Sequence, residues 1–345
     1  MCSAETPSWQ GLGLGEPCCV DILRGGRNSR VFGLTLDHGN RAAVKQYFRH
    51  PGDPRDRMGT EAAALRLMHG AGLACVPGLL GQDPEQGLTC LEFIDGTPSG
   101  PARPSDMDQA ADLLLRLKDL AKSAQPGSAA MGLGPASEAF FSADDVVQNL
   151  RQRLARLEAA PQDAPLAREL QDFLRGSLAP ALERSVDRCA SQLAPRTMQT
   201  VLPQDERTLS PSDFGLHNAL RRADGSLVFL DFEYFGWDDP AKTLCDFALH
   251  PAMNLDDALL ARFLNLVLPG LGGTLLAARA KALYPLFRLK WALILLNEFL
   301  PRDAARRSFA GSATDQERLQ AQLVTSAAMV AGLDAGQARF SALLD

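Results

Sequence analysis

The chain has 345 residues, 46% of them hydrophobic and 22% charged, with a net charge of −6. That length exceeds one small core and suits two lobes, and the acidic balance argues against the basic surface of a general nucleic-acid binder. No apolar run is long enough to span a membrane: Tyr284 to Leu300 comes nearest, and Arg288, Lys290, Asn297 and Glu298 interrupt it. The N-terminal residues carry neither a basic segment nor an apolar core, so no secretory signal is read there. Seven scattered cysteines show no paired metal-ligand spacing, which predicts reduced, buried thiols in a cytoplasmic protein.

In chain order, residues 1–95 read as strands with one helix. Val31 to Leu36 and Arg41 to Tyr47 flank a turn at residues 37–40 and predict a hairpin. Glu61 to His69 has helical composition and stops at Gly70 and Gly72. Val76 to Leu80 and Leu88 to Ile94 read as two further strands. A Gly/Pro-rich stretch, Asp95 to Pro101, marks a boundary, so 1–95 is expected to be one lobe and 96–345 the other. The second lobe reads as mainly helical. Ser105 with Asp108 resembles a capping box, and Ser142 with Asp145 is another, opening a helix that buries Val147, Leu150, Leu154 and Leu157. A helix from Leu166 to Cys189 should kink or divide at Pro180. Residues 209–246 read as strand and loop. Helices follow over 256–268, 275–300 and from about Thr314 to the end. The fold class expected is α+β, with a small antiparallel-sheet lobe and a larger, mainly helical one.

The chemistry concentrates in Ser210 to Asn218 and in Val228 to Glu233. Asp213 stands five residues before Asn218, a spacing that lets one tight loop aim both side chains into one cavity. There an aspartate can orient an attacking hydroxyl while an amide oxygen ligates magnesium. Leu227 to Leu230 is a short apolar strand ending in Asp231, where a carboxylate is costly unless a metal or a hydrogen-bond network compensates it. Magnesium, with octahedral oxygen coordination and retained waters, needs no more than Asn218, Asp231 and substrate phosphates. Lys45 ends the apolar run Ala42 to Val44 and could bond the α- and β-phosphates of ATP, with Glu61 on the predicted helix holding its ammonium. Gly25, Gly26, Asn28 and Ser29 precede the hairpin and could form a loop whose amides approach phosphate. Glu92, Phe93 and Ile94 sit where a hinge would offer backbone groups to adenine. Asp246 reads as a buried acceptor tying down the loop. The five histidines form no metal-ligand cluster in sequence, and His217 reads as a loop histidine. Glu233, Asp238 and Glu298 could hold an amine or be solvated surface charge.

These motifs resemble those of the aminoglycoside phosphotransferase and choline kinase family, which has a protein-kinase-like fold. Its members carry H-G-D-x-x-x-x-N, then D-x-E after a strand, then D-P and a further aspartate. Here these become Pro211 to Asn218, Asp231 to Glu233, Asp239 with Pro240, and Asp246. The resemblance implies an ATP- or GTP-dependent, Mg2+-requiring transfer of a γ-phosphate to a small-molecule hydroxyl. It assigns Asp213 as catalytic base, Asn218 and Asp231 as metal ligands, and Lys45 with Glu61 as the phosphate-anchoring pair. Pro211 and Ser212 depart from the usual histidine and glycine, and a nucleotide-binding pseudokinase acting as a regulatory module is the alternative. A protein kinase fits less well, because Asp231-Phe-Glu233 replaces D-F-G and no A-P-E segment follows.

Overall fold

The structure, a computed structural model, describes residues 7–23, 29–49, 53, 55–161, 165–301 and 316–345. Strands β1 (Cys19–Leu23), β2 (Ser29–Thr35), β3 (Arg41–Tyr47), β4 (Leu79–Asp83) and β5 (Leu88–Glu92) form one antiparallel sheet in the order β1-β2-β3-β5-β4. The β2–β3 hairpin is the predicted one, and its turn places His38 and Gly39 at φ of 63° and 79°. Edge strand β1 is an addition, because its residues are almost all exposed and show no alternating pattern. β4 begins three residues later than expected, and Val76 is buried in the segment before it.

Alternation along β3 sorts its side chains onto two faces. Ala42 and Val44 join Phe32, Leu34, Leu88 and Cys90 under Trp9 and Leu12 of the N-terminal segment, with the Trp9 ring set edge-on to Phe32 at 5.4 Å. Lys45 and Tyr47 face the other way, toward helix α1 (Arg57–Gly70), and both reach Glu61. α1 starts ahead of the predicted Glu61 because Asp56 caps it, accepting from the Gly59 amide at 2.9 Å.

Beyond Glu92, β6 (Thr97–Pro98) pairs with β8 (Ala219–Arg221), which pairs with β9 (Leu227–Phe229). β7 (Thr208–Ser210) pairs with β10 (Gly236–Asp238). Around these strands lie α2 (Pro104–Lys122), α3 (Ala143–Glu158), α4 (Ala167–Phe173), α5 (Ala179–Gln192), α6 (Pro240–Leu249), α7 (Asp257–Leu271), α8 (Gly273–Leu295), α9 (Gln316–Ala331) and α10 (Leu333–Leu343). α8 is the axis of this lobe: α3, α5, α6, α7, α9 and α10 all pack on it. Among the described residues no helix is long and apolar enough to cross a membrane.

Several boundaries differ from expectation for identifiable reasons. α6 falls in a stretch expected to be strand and loop. It is buried from Pro240 through Phe247, so no polar stripe betrays a 3.6-residue period. The 166–189 helix does divide, through a π-helical turn over Leu174–Leu178, with Pro180 in the first turn of α5. The Ser142–Asp145 capping box forms reciprocally at 3.1 and 2.9 Å. Ser105 and Asp108 do not cap α2. Asp106 accepts from the Arg103 amide at 2.8 Å, and Asp108 pairs with Arg262 on α7 at 2.6 Å. The last predicted helix is two, α9 and α10, separated at Gly332, and its expected start at Thr314 lies outside the described residues. Cys90, Cys189 and Cys245 are buried thiols, whereas Cys18 and Cys19 beside the edge strand are exposed.

Asp106 has a second task. Arg221 on β8 grips both of its oxygens at 2.6 and 2.8 Å and also donates to the Ser99 carbonyl at 2.8 Å, all buried. Arg221→Ala would leave a buried, unpaired carboxylate and should cost about 3–5 kcal/mol. Chemical denaturation measures this; a loss below about 1 kcal/mol, the worth of an exposed pair, would refute it.

Candidate active site

Lys45 is the hub of a buried ion cluster. Its ammonium lies 2.8 Å from Glu61, 2.5 Å from Asp231 and 3.2 Å from Glu233. Glu61 also takes the Tyr47 hydroxyl and, through Oε1, the Phe232 amide at 3.1 Å. Arg57 approaches Glu233 at 3.5 Å and bonds Asp53 at 2.6 Å. Burial by itself would lower the pKa of Lys45, but Asp231, Glu61 and Glu233 together hold it well above the ordinary lysine value. Burial pushes the carboxyls of Asp231 and Glu233 up, and Lys45 only partly restores them.

The loop after β7 holds Asp213 and Asn218. Phe214 anchors it in the core, packed against Phe229 at 5.1 Å and Phe247 at 5.7 Å. The Leu230 amide donates to the Asn218 carbonyl at 2.8 Å, locking this loop to the segment that carries Asp231. Asn218 Nδ2 donates to the Asp213 carbonyl at 3.0 Å, which turns its amide oxygen the other way. Asp231 sits at φ of 68°, a left-handed conformation that aspartate tolerates better than most side chains. Burial favours the neutral form of Asp213. The His217 hydrogen bond, the neighbouring imidazoles of His217 and His250 and the Asn218 contact outweigh it and lower the pKa to about 2.

Ser212, standing where the family pattern has glycine, has a φ of 67°, a region glycine occupies without strain. Two hydrogen bonds offset the strain: its hydroxyl donates to the Ser137 carbonyl at 3.0 Å and accepts from Lys242 at 3.1 Å. Where the pattern has a bracing histidine the chain has Pro211, and two other histidines meet the loop instead. His217 Nε2 lies 3.1 Å and His250 Nε2 3.7 Å from Asp213 Oδ1. Their rings stack 3.7 Å apart and parallel to within 1°, and Trp291 meets His250 edge-on at 4.5 Å. The expectation that no histidines cluster is therefore corrected: Asp213, His217 and His250 form a compact potential ligand group, as do Glu61, Asp231 and Glu233. His250 ends α6, a helix with no legible period, so no sequence signal brought it to the loop.

Asp246 is the predicted buried acceptor, with Lys290 at 2.9 Å, Trp291 Nε1 at 2.8 Å and Lys242 at 3.3 Å. Lys290 and Lys242 hold the pKa of its carboxyl down against burial. A cleft of about 660 Å³ exposes Asp213, Asn218 and Asp231 together, and Trp291, Glu298 and Gln322 help to close it from α8, the turn after it and α9. The oxygen donors of Asn218 and Asp231 facing one cleft fit a hard divalent cation such as Mg2+.

The other predicted positions separate. Glu92 ends β5, Phe93 and Ile94 follow it, and none of the three lines this cleft. The Glu92 amide donates to the Gly78 carbonyl at 2.7 Å, and its carboxylate takes the Gly78 amide at 3.0 Å. Phe93 lies under the Arg41 guanidinium at 3.6 Å, and Ile94 is buried. Gly25, Gly26 and Asn28 lie outside the described residues. Ser29 belongs to β2 rather than to a loop before it, and is buried opposite Tyr47. Tyr47, Arg57 and Lys242 had no site role in the sequence, since none carries a spacing signature, and Glu233, which could there hold an amine or be solvated surface charge, is instead a buried partner of Lys45 and Arg57.

A sheet-borne lysine paired to a helix glutamate, facing a helical lobe with an Asp-x4-Asn loop, defines a kinase-like phosphotransferase. The sequence matches the phosphotransferase enzyme family over residues 20–282, and the chain belongs to that family. Solved structures with the same fold include a spectinomycin phosphotransferase, at TM-score 0.60 and 14% identity over 92% of this chain and 95% of that one. A choline kinase from Streptococcus pneumoniae aligns at TM-score 0.57 and 15% identity, over 92% and 95% of the two chains. A choline kinase from Cryptosporidium parvum aligns at 0.56 and 10%, over 94% and 93%. No curated protein matches the chain in sequence.

Proposed function

We propose that the chain is a small-molecule O-kinase that moves the γ-phosphate of ATP or GTP to an acceptor hydroxyl and requires Mg2+. The observation that carries this is the convergence of Lys45, Glu61 and Asp231 within 2.8 Å contacts, beside a cleft shared by Asp213, Asn218 and Asp231. Lys45, held charged by Glu61, bonds the α- and β-phosphates. Asn218 and Asp231 would hold the metal, which would supply neutralisation of charge on the phosphate oxygens. Asp213 accepts a hydrogen bond from the acceptor hydroxyl and points its oxygen at the γ-phosphorus. The new bond joins the acceptor's hydroxyl oxygen to the γ-phosphorus, the bond to the β,γ-bridging oxygen breaks, the hydroxyl proton passes to Asp213 late in the step, and a nucleoside diphosphate leaves. A carboxylate with a pKa near 2 is a weak base, so its contribution is orientation in a loose transition state rather than early proton removal. The spectinomycin phosphotransferase was solved with ADP and spectinomycin, and an amicoumacin kinase with AMP-PNP and Ca2+; both support nucleotide use here. Residues 1–95 would then form the nucleotide lobe and 96–345 the catalytic and acceptor lobe.

Thermal-shift titration with ATP, with and without Mg2+, followed by a phosphate-transfer assay, tests the proposal. Metal-dependent stabilisation and turnover are expected. Metal-independent nucleotide binding with no transfer to any acceptor would instead identify a regulatory pseudokinase.

A further inference from the structure

The loop that carries Asp213 is held from outside by α6 and the turn after it. Thr243 Oγ1 lies 3.1 Å from Ser210 Oγ, and Lys242 donates to Ser212 Oγ at 3.1 Å. His250 Nε2 lies 3.7 Å from Asp213 Oδ1, and the Leu216 amide donates to Met253 Sδ at 3.1 Å. The family pattern puts its brace inside the loop, where this chain has Pro211, and proline has no N–H with which to replace it. Lys242 is committed to the frame, since Asp238, Ser212 and Asp246 take up its three N–H groups. Of these four contacts, the one from His250 is the one that reaches the Asp213 carboxylate.

The state of the His250 ring follows from its other nitrogen. A backbone N–H can only donate, and the Ala252 amide donates to His250 Nδ1 at 3.2 Å. Nδ1 therefore keeps its lone pair, and the ring proton sits on Nε2, which faces Asp213. A protonated Nε2 has no lone pair for a metal ion, so this nitrogen serves the carboxylate as a donor. The ring is fixed between His217, stacked at 3.7 Å, and Trp291, edge-on at 4.5 Å, and Trp291 is itself held by Asp246 at 2.8 Å. His217 Nε2 lies 3.1 Å from the same Asp213 oxygen, and its buried Nδ1 makes no hydrogen bond. A proton on Nε2 there too leaves no buried N–H unsatisfied. Both rings address Oδ1, which leaves Oδ2 for the acceptor hydroxyl. At 3.7 Å the His250 contact is longer than a hydrogen bond, and contacts around catalytic groups commonly tighten only when substrate is bound.

We propose that His250 is a positioning residue for phosphotransfer: from the end of α6 its Nε2–H orients the Asp213 carboxylate and supplies bracing that the loop lacks at Pro211. This rests on the phosphotransfer function above. Two variants separate positioning from turn structure. His250→Asn can still accept the Ala252 amide, as asparagine does in turns, but is too short to reach Asp213. His250→Gln puts an amide N–H where Nε2 was. Phosphate release from ATP and Mg2+ is followed with water as the acceptor. His250→Asn should lower kcat at least about tenfold, since a hydrogen bond to a charged group is worth that factor or more, with KM for ATP within about twofold of wild type. His250→Gln should recover most of the loss. Equal kcat in the two variants, or a loss confined to KM, overturns the proposal.

A second arm needs no turnover, which separates failure of this inference from failure of the kinase reading, and it decides alone if the wild type releases no phosphate. In protein with isotope-labelled histidine, proton–nitrogen correlation spectra at neutral pH show which ring nitrogen carries the proton. The His250 signals are those missing from His250→Asn. They should show a proton on Nε2 alone, and Asp213→Ala should shift the Nε2–H signal without moving that proton. A proton on Nδ1, or an Nε2–H signal indifferent to Asp213→Ala, overturns the proposal.

Discussion

Asp213→Ala is expected to lower turnover by about 10²–10⁴-fold, the usual worth of a positioned acid or base, while nucleotide affinity stays within a few-fold of wild type. The separation follows from geometry. Asp213 contacts His217 and His250 and faces the cleft, whereas the residues assigned to phosphate and metal are Lys45, Asn218 and Asp231. Asp213→Asn keeps the shape of the side chain and removes only the charge, so a similar loss there would assign the effect to the carboxylate rather than to loop collapse. Steady-state kinetics with a nucleotide-binding titration decide it. Wild-type turnover in either variant would remove Asp213 from the mechanism.

The second large effect belongs to Lys45→Met. Lys45 is buried, and without its ammonium the buried Glu61 and Glu233 and the part-buried Asp231 are three crowded carboxylates. Loss of one partner from a buried ion pair costs about 3–5 kcal/mol, and catalysis should fall with it. The pH dependence has a definite sign. Burial already raises the Asp231 and Glu233 pKa values, and removal of the lysine raises them further. In the variant the folded state therefore binds protons more tightly than the unfolded chain, whose carboxyls titrate near pH 4. Its deficit should be smallest below about pH 4 and widen as pH rises through the folded pKa values. Denaturation curves for both proteins from pH 4 to 8 check this. A deficit independent of pH would mean that lost packing, not stranded charge, is the cause.

Legibility in the sequence followed how local the constraint was. The β2–β3 hairpin, the end of α1 and the Ser142 cap are written in neighbouring residues, and they were legible there. The α2 cap was misplaced because Ser105 and Asp108 are the better capping types, yet Asp106 is the carboxylate that Arg221 draws into the interior. α6 was invisible because it is buried on all sides, and His250 and Lys242 were lost with it. The spacing of Lys45, Glu61, Asp213, Asn218 and Asp231 led to one region of space, since β3, α1 and the loop after β7 each present a single short side. Glu233 and Asp238 were misjudged as candidate surface acids. Their partners Arg57 and Lys242 come from elements whose placement is decided only by tertiary packing.

The hydrogen bond from the Phe232 amide to Glu61 ties α1 to the backbone immediately after Asp231. A helix joined to the sheet lysine through its side chain alone could swing outward and leave the Asp231 carboxylate, proposed above to bind the metal, where it was. Here an outward swing of α1 must break that bond or drag the Asp231 backbone with it, so under the proposed function helix position and metal affinity would be one variable. On the proposed assignment, a compound wedged between α1 and the sheet would weaken Mg2+ binding without touching Asn218 or Asp231, and it would oppose the metal rather than the acceptor.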